Sequence, residues 1–245
     1  MNNKIFLDIE TTGFSALEDE LITISTIRDE IRNNDKTKKI KTINDNFKKE
    51  LSILGDYARN TYSTIITFNG ENYHGGFDFP FLRTYCIKNE IDWPFKDVNH
   101  LDLFPLIKKR INTEIYELNL PSKSSLRKND LVKLAEANNI EYTTINGTYT
   151  ELMELYETDN VDWLDYASYD SKSKNDLQTI YQLFFDPDKN EEYIDGGEVP
   201  ELYKEGKIEE INKHCENDIV RLKKVFEVVV NTIPDYYINK NTVTL

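Results

Sequence analysis

Ile5-Phe6-Leu7-Asp8-Ile9-Glu10-Thr11-Thr12-Gly13-Phe14 reads as an apolar strand that carries two carboxylates one residue apart and then stops at a glycine. On a strand, residues i and i+2 project from the same face, so Asp8 and Glu10 stand side by side. Two close carboxylates raise each other's pKa unless a hard divalent cation sits between them. The spacing therefore marks a cation site at the end of a strand expected mid-sheet. The plainer reading is a strand running into a turn, with its acids in water.

Outward from this stretch, Leu21-Ile22-Thr23-Ile24-Ser25-Thr26-Ile27 alternates apolar and polar residues as a half-buried strand does. A hairpin partner is expected at Lys39 to Ile43, beyond the charged turn Arg32 to Lys38. Phe47, Leu51 and Leu54 follow at helical spacing, with Asn44 or Asp45 as N-cap. Thr64 to Phe68 is a buried strand ending in the turn signal Asn69-Gly70, and Phe77-Asp78-Phe79-Pro80-Phe81-Leu82 opens a helix running to about Asn89. Asp78 thus falls at a helix N-terminus, where Pro80 is tolerated. A fifth strand is expected at Val98 to Leu103, then a helical turn with a basic end at Phe104 to Arg110. Ser122 to Ala137 is read as a helix with Lys123, Arg127, Lys128 and Lys133 as a phosphate-contacting face.

From Ile140 to Pro200 the pattern loosens into short helical segments, such as Thr150 to Glu157 and Asp176 to Phe185, dense in Asp, Glu and Tyr. This is expected to be an acidic helical insertion lying outside the main sheet. Near the C-terminus, Leu222, Val225, Phe226 and Val229 form one helical stripe, which predicts a helix docked on the sheet. His214 and Asp218 lie one turn apart on it. An Asp on a core-facing helix needs a partner, and a metal shared with Asp8 supplies one. Tyr166 and Asp170 repeat the same spacing, but Asp170 is followed by the polar run Ser171-Lys172-Ser173-Lys174-Asn175, which cannot bury against a sheet.

Leu-Asp-Ile-Glu-Thr-Thr-Gly-Phe at 7–14 resembles the first motif of the DEDD, or DnaQ-like, 3′-to-5′ exonucleases. Thr67-Phe68-Asn69-Gly70 followed by Phe77-Asp78 resembles the second, although six residues intervene where two are usual. The stretch from Gly196 through His214-Cys215-Glu216-Asn217-Asp218 to Phe226 resembles the third. It is most similar to predicted exonuclease domains related to B-family DNA polymerases, with His214 where most of those carry Tyr.

The resemblance implies an α/β, ribonuclease H-like mixed sheet of five strands flanked by helices. It implies one exonuclease domain over 1–245 with the insertion at about 140–200. Asp8, Glu10, Asp78 and Asp218 would bind two Mg²⁺ or Mn²⁺ ions, and His214 would accept a proton from water, with activity falling as pH drops below about 6 to 7. Thr11, Gly13, Phe14, Asn69, Arg127 and Lys128 would contact nucleic acid, with Phe14 and Tyr73 stacking on terminal bases. His100 and Asp102 are assigned a structural role. The expected substrate is a single-stranded DNA 3′ end, within a replication or repair partnership. An exoribonuclease, or a non-catalytic nucleic-acid-binding scaffold on the same fold, stays open.

The 245 residues are 39% hydrophobic and 12% aromatic, enough for a sizeable core. The net charge of −14 argues against a nucleic-acid partner until it is mapped. From Glu141 to Asp218 there are 21 acidic and 6 basic residues, so the acidity is regional; Leu101 to Ala135 carries 7 basic and 4 acidic. That distribution disfavours tight binding of long duplexes and leaves a local basic groove for a strand end. No apolar run reaches the roughly 18 to 20 residues of a membrane span. The first strand begins almost at once, so the chain is expected to be cytoplasmic, with no signal peptide and no membrane contact. Cys86 and Cys215 match no metal spacing and are expected to be reduced thiols.

Overall fold

The computed structural model describes residues 3–32, 35–71, 75–119, 127–137, 139–157, 168–173, 176–186 and 194–245. The chain forms two compact units, Met1–Thr113 with Lys174–Leu245, and Glu114–Ser173. The first unit begins with strands β1 (Lys4–Thr11), β2 (Leu21–Arg32) and β3 (Asp35–Ile43), helix α1 (Phe47–Asn60), β4 (Thr64–Thr67), α2 (Asp78–Lys88), β5 (Asn99–Asp102) and α3 (Leu103–Arg110). The second holds β6 (Glu114–Asn119), α4 (Lys128–Ala137), α5 (Ile145–Glu157) and β7 (Ser168–Ser173). The chain then returns to the first unit with α6 (Leu177–Phe185), a 3₁₀ turn at Gly196–Glu198, α7 (Val199–Lys204), α8 (Ile208–Thr232), α9 (Asp235–Asn241) and β8 (Thr242–Thr244).

The main sheet is mixed and six-stranded, in the order β3-β2-β1-β4-β5-β8. β1 lies inside it, antiparallel to β2 and parallel to β4. The ribonuclease H-like sheet has six strands rather than the expected five. The addition, β8, is three residues of Thr-Val-Thr on the sheet edge beside β5, too short and too exposed to show alternation. β2 and β3 also pair further than the apolar alternation reaches, out to Arg32 opposite Asp35.

Alternation along β1 splits the core in two. Ile5, Leu7 and Ile9 pack with Leu51 and Leu54 of α1 and with Phe79 and Leu82 of α2 on one face. Phe6 faces the other way, into a layer with Leu222, Val225 and Phe226 of α8 and Ile180 of α6. The Phe6 and Phe226 rings meet edge to face at 5.3 Å. By the period of two, Asp8 and Glu10 continue the row begun by Phe6, beneath α8.

α1 approaches the chain at Pro94 through Gly55, where a Cβ would lie 2.1 Å from the Pro94 carbonyl oxygen. Gly55→Ala is therefore expected to destabilise the fold by up to about 2 kcal/mol, an overpacking cost of about 1 to 3 kcal/mol less the roughly 1 kcal/mol that Ala gains in helix propensity. An unchanged or raised urea midpoint would contradict that close approach.

In the second unit β6 and β7 form an antiparallel pair, and Leu131, Leu134 and Leu152 bring α4 and α5 together. This compact unit spans 114–173, beside the insertion expected at about 140–200. The acidic stretch is not uniform in its packing. α6 has an apolar face, with Ile180 and Tyr181 buried against α8, and belongs to the first unit. The basic segment before it, read as a helix from Ser122, is helical from Lys128; 120–126 lie outside the described residues. Among the described residues no helix is long and apolar enough to cross a membrane.

Candidate active site

α8 runs antiparallel to β1 across the sheet. From the Phe6 contact at Phe226 back to His214 is about 18 Å at 1.5 Å per residue, and from Phe6 to Glu10 about 13 Å at 3.3 Å per residue, so the helix start overhangs the strand end. His214 and Asp218 both lie within α8, which begins at Ile208. His214 Nε2 is 3.3 Å from Glu10 Oε1 and 3.7 Å from Asp218 Oδ2. Ligand atoms of Glu10, His214 and Asp218 fall within 4.8 Å of one another, as do those of Asp8, Glu10 and Cys215. β1 shifts register against β2 between Glu10 and Thr11, a bulge of the kind that re-aims side chains at strand ends.

Asp78 reaches the same groove from the first turn of α2. Its side chain does not cap the helix, and Phe77 occupies the N-cap position. The loop leading to it is closed at a neck, where Phe77 N donates to Asn69 O at 2.7 Å and Phe79 N to Gly70 O at 3.0 Å. The neck thus brings the two ends of the stretch 71–76, four residues longer than usual, to one point, and Asp78 lines the groove. Asp102 holds the neck from below, accepting from Asn69 N at 2.8 Å, Glu71 N at 3.2 Å and Phe104 N at 3.0 Å. His100 bonds Thr67 Oγ1 at 2.8 Å, and burial beside Arg83 lowers its pKa to about 3, which keeps the ring neutral. Both residues act structurally.

The groove offers about 410 Å³ and is lined by Asp8, Glu10, Asp78, His214 and Asp218, with Thr11, Gly13 and Phe14 on its rim. Phe14 is 91% exposed and meets Phe77 edge to face at 5.9 Å. Thr11 Oγ1 donates to Gly13 O at 2.6 Å, which ties the strand end to the turn. Asn69 contributes backbone to the neck and is not among the lining residues. Arg127 and Lys128 sit exposed at the start of α4 in the second unit. Tyr73 and Tyr166 lie outside the described residues.

Burial raises the Asp8 carboxyl from 3.8 to about 8, and the charge of Asp218 adds to it; the Cys215 thiol and the Ile9 backbone pull the other way. Glu10 is held well above its usual range by burial and by Asp8, Asp218 and Asp78 in turn. Asp78 is raised by burial, then by Asp8 and Asp102. Its Oδ2 is buried and has no hydrogen-bond partner among the described residues. Four hard oxygen donors, three of them costly to ionise and one with an orphaned oxygen, fit divalent Mg²⁺ or Mn²⁺.

Sequence reasoning passed over four groups that the fold brings in. Arg221, 3% exposed, donates to Asp218 Oδ1 at 2.6 Å and fixes that carboxylate. Cys215 donates to Asp8 Oδ2 at 3.5 Å. Gln178 and the pair Gly196-Gly197 line the groove from the returning chain. The i, i+3 spacing of Asp218 and Arg221 is a usable signal, and Cys215 and Gly196 fall within the stretch that resembles the third motif; Gln178 carries none.

The chain belongs to the RNase H superfamily, whose family model matches residues 5–128. Residues 123–228 match the model of predicted 3′-5′ exonucleases related to the exonuclease domain of PolB. No curated protein matches the chain. Among solved structures, a product-bound exonuclease I is 16% identical with a TM-score of 0.37, the match covering 64% of this chain and 44% of that one. E. coli exonuclease I in complex with a dA16 oligonucleotide is 17% identical with a TM-score of 0.34, covering 62% and 40%. The chain thus spans less than half the length of these structures.

Proposed function

We propose that the protein is a metal-dependent 3′-to-5′ exonuclease acting on single-stranded DNA ends in the cytoplasm. The observation that carries this reading is the convergence of Asp8, Glu10, Asp78 and Asp218 with His214 in one groove, in a chain whose matched models are those of nucleases. The whole chain then works as one exonuclease domain, interrupted by Glu114–Ser173.

The four carboxylates would hold two Mg²⁺ or Mn²⁺ ions. When bound, those ions supply the positive charge that offsets the clustered carboxylates and the charge developing on the phosphoryl group, and they make water more acidic. His214, whose Nε2 lies 3.3 Å from Glu10 Oε1 and 3.7 Å from Asp218 Oδ2, takes the proton of the attacking water at that nitrogen, with both carboxylates turned to the ions. Arg221 keeps Asp218 from swinging toward solvent. Phe14, standing clear of the surface against Phe77, stacks on the terminal base without reading its identity.

The test is incubation with 3′- and 5′-labelled single-stranded DNA and RNA oligonucleotides in Mg²⁺, Mn²⁺ or EDTA. Loss of the 3′ label in either metal and none in EDTA is expected, with DNA preferred. The metals should also raise the melting temperature, because they bind the native state alone. Hydrolysis unaffected by EDTA rejects the metal site, RNA preference makes the protein an exoribonuclease, and no hydrolysis with intact metal binding leaves a scaffold.

A further inference from the structure

Asp8, Ser25 and Thr42 occupy directly paired positions on three adjacent strands, Asp8 opposite Ser25 and Ser25 opposite Thr42. Paired residues point to the same face, so the three side chains form one row running away from the groove. α8 crosses that row and adds Cys215 and Glu216. Ser25 and Cys215 are fully buried.

The row is contiguous from end to end, with the three hydrogens of Cys215, Ser25 and Thr42 shared among its four contacts. Cys215 Sγ donates to Asp8 Oδ2 at 3.5 Å and lies 3.6 Å from the Asp8 carbonyl oxygen. The Ser25 hydroxyl faces the thiol and, with the Thr42 hydrogen given to Glu216, divides its one hydrogen between Cys215 Sγ and Thr42 Oγ1. Ser25 Oγ and Thr42 Oγ1 are 3.2 Å apart, and the Thr42 hydroxyl donates to Glu216 Oε1. Small residues under a crossing helix need not be polar: Ala or Val would fill this row without the cost of burying hydroxyls. Here each polar group stands against the next, and the row ends on a carboxylate of the candidate metal site.

We propose that Cys215, Ser25, Thr42 and Glu216 are positioning residues that fix the Asp8 carboxylate in the orientation a cation requires. The inference rests on the metal-dependent reading above. The only side chain that holds this carboxylate among the described residues is a thiol, and it holds weakly, since S–H is a poor donor. The backing by Ser25, Thr42 and Glu216 keeps that thiol from turning. The outer anchor, Glu216, lies two residues from Asp218 on the same helix, so the row also ties the α8 side of the groove to the β1 side.

The experiment is calorimetric titration of the full chain with Mn²⁺, alongside melting in EDTA and hydrolysis of a 3′-labelled single-stranded DNA oligonucleotide. Ser25→Ala and Thr42→Val are expected to weaken Mn²⁺ binding by about ten- to a hundredfold, the usual effect of losing a group that orients a metal ligand. kcat falls with them while KM for the oligonucleotide holds. Thr42→Ser and Cys215→Ser, which keep a donor in place, are expected to stay within about twofold of the parent, since the orienting bond survives. A role in packing alone would lower melting in EDTA and leave Mn²⁺ affinity as it was. Parental Mn²⁺ affinity in both Ser25→Ala and Thr42→Val overturns the proposal; if Ser25→Ala does not fold, the half-buried Thr42→Val decides it. A parent chain that takes up no Mn²⁺ overturns the metal reading itself.

Discussion

Asp8→Asn is expected to end hydrolysis and at the same time raise the melting temperature of the metal-free protein. The carboxyl is buried under α8, and its pKa is raised from 3.8 to about 8 by that burial and by Asp218. Below about pH 4 both the folded and the unfolded chain hold the proton, and the residue costs nothing. As pH rises toward 8 the unfolded chain releases the proton and the folded chain does not, so the stability present at low pH is lost across that window. Asn keeps the shape and cannot ionise. Its advantage in EDTA therefore opens from about pH 4 and levels off above about pH 8, where it is on the order of a few kcal/mol. Glu10 and Asp78 are raised for the same reason, so the variant keeps a shallower decline of the same sign. Mn²⁺ should reverse the order at pH 8, stabilising the parent far more than the variant. Melting scans in EDTA from pH 4 to 9, with and without Mn²⁺, check both halves. An Asp8→Asn variant less stable than the parent at pH 8 in EDTA would show that Asp8 is held by something other than a cation.

The parts of this site that could be read from sequence are those set by local period. Asp8 and Glu10 are legible because a strand alternates, and His214 and Asp218 because a helix repeats at four while the stripe Leu222, Val225, Phe226 says which side faces in. Asp78 is legible from its helix start. The row Asp8, Ser25, Thr42 is different, because it is made by register between strands, and register depends on pairings that no single segment encodes. The same holds for Gln178 and Gly196, which reach the groove only because the chain leaves the first unit at Thr113 and returns at Lys174. The bounds of the compact unit Glu114–Ser173 are not legible for a related reason. Charge density tracks solvent exposure, and a helix such as α6 can carry acidic flanks while burying Ile180 and Tyr181. β8 was missed because three residues cannot display a period.

Asp218→Asn is expected to abolish turnover and His214→Ala to lower it by a factor on the order of 10² to 10⁴, the range a positioned general base contributes. Asp170→Asn is expected to leave activity near the parental level. The rival pair, Tyr166 and Asp170, depends on a helix, since only there do residues four apart share one face a turn apart. Asp170 lies instead on strand β7, paired with Glu117 of β6. Tyr166 lies outside the described residues, and the strand at Asp170 is not the helix that this spacing needs. His214 and Asp218 meet the requirement, with Nε2 and Oδ2 3.7 Å apart, Glu10 completing the triangle and Arg221 holding the far oxygen of Asp218. The two variants in α8 separate by mechanism as well as size. Asp218→Asn removes a ligand charge and should weaken Mn²⁺ binding, whereas His214→Ala removes the proton acceptor and should leave Mn²⁺ affinity close to the parent's. Rates on a 3′-labelled oligonucleotide, paired with Mn²⁺ titrations of the same three variants, check the whole assignment. An inactive Asp170→Asn variant beside an active Asp218→Asn variant would move the fourth carboxylate and the base out of α8.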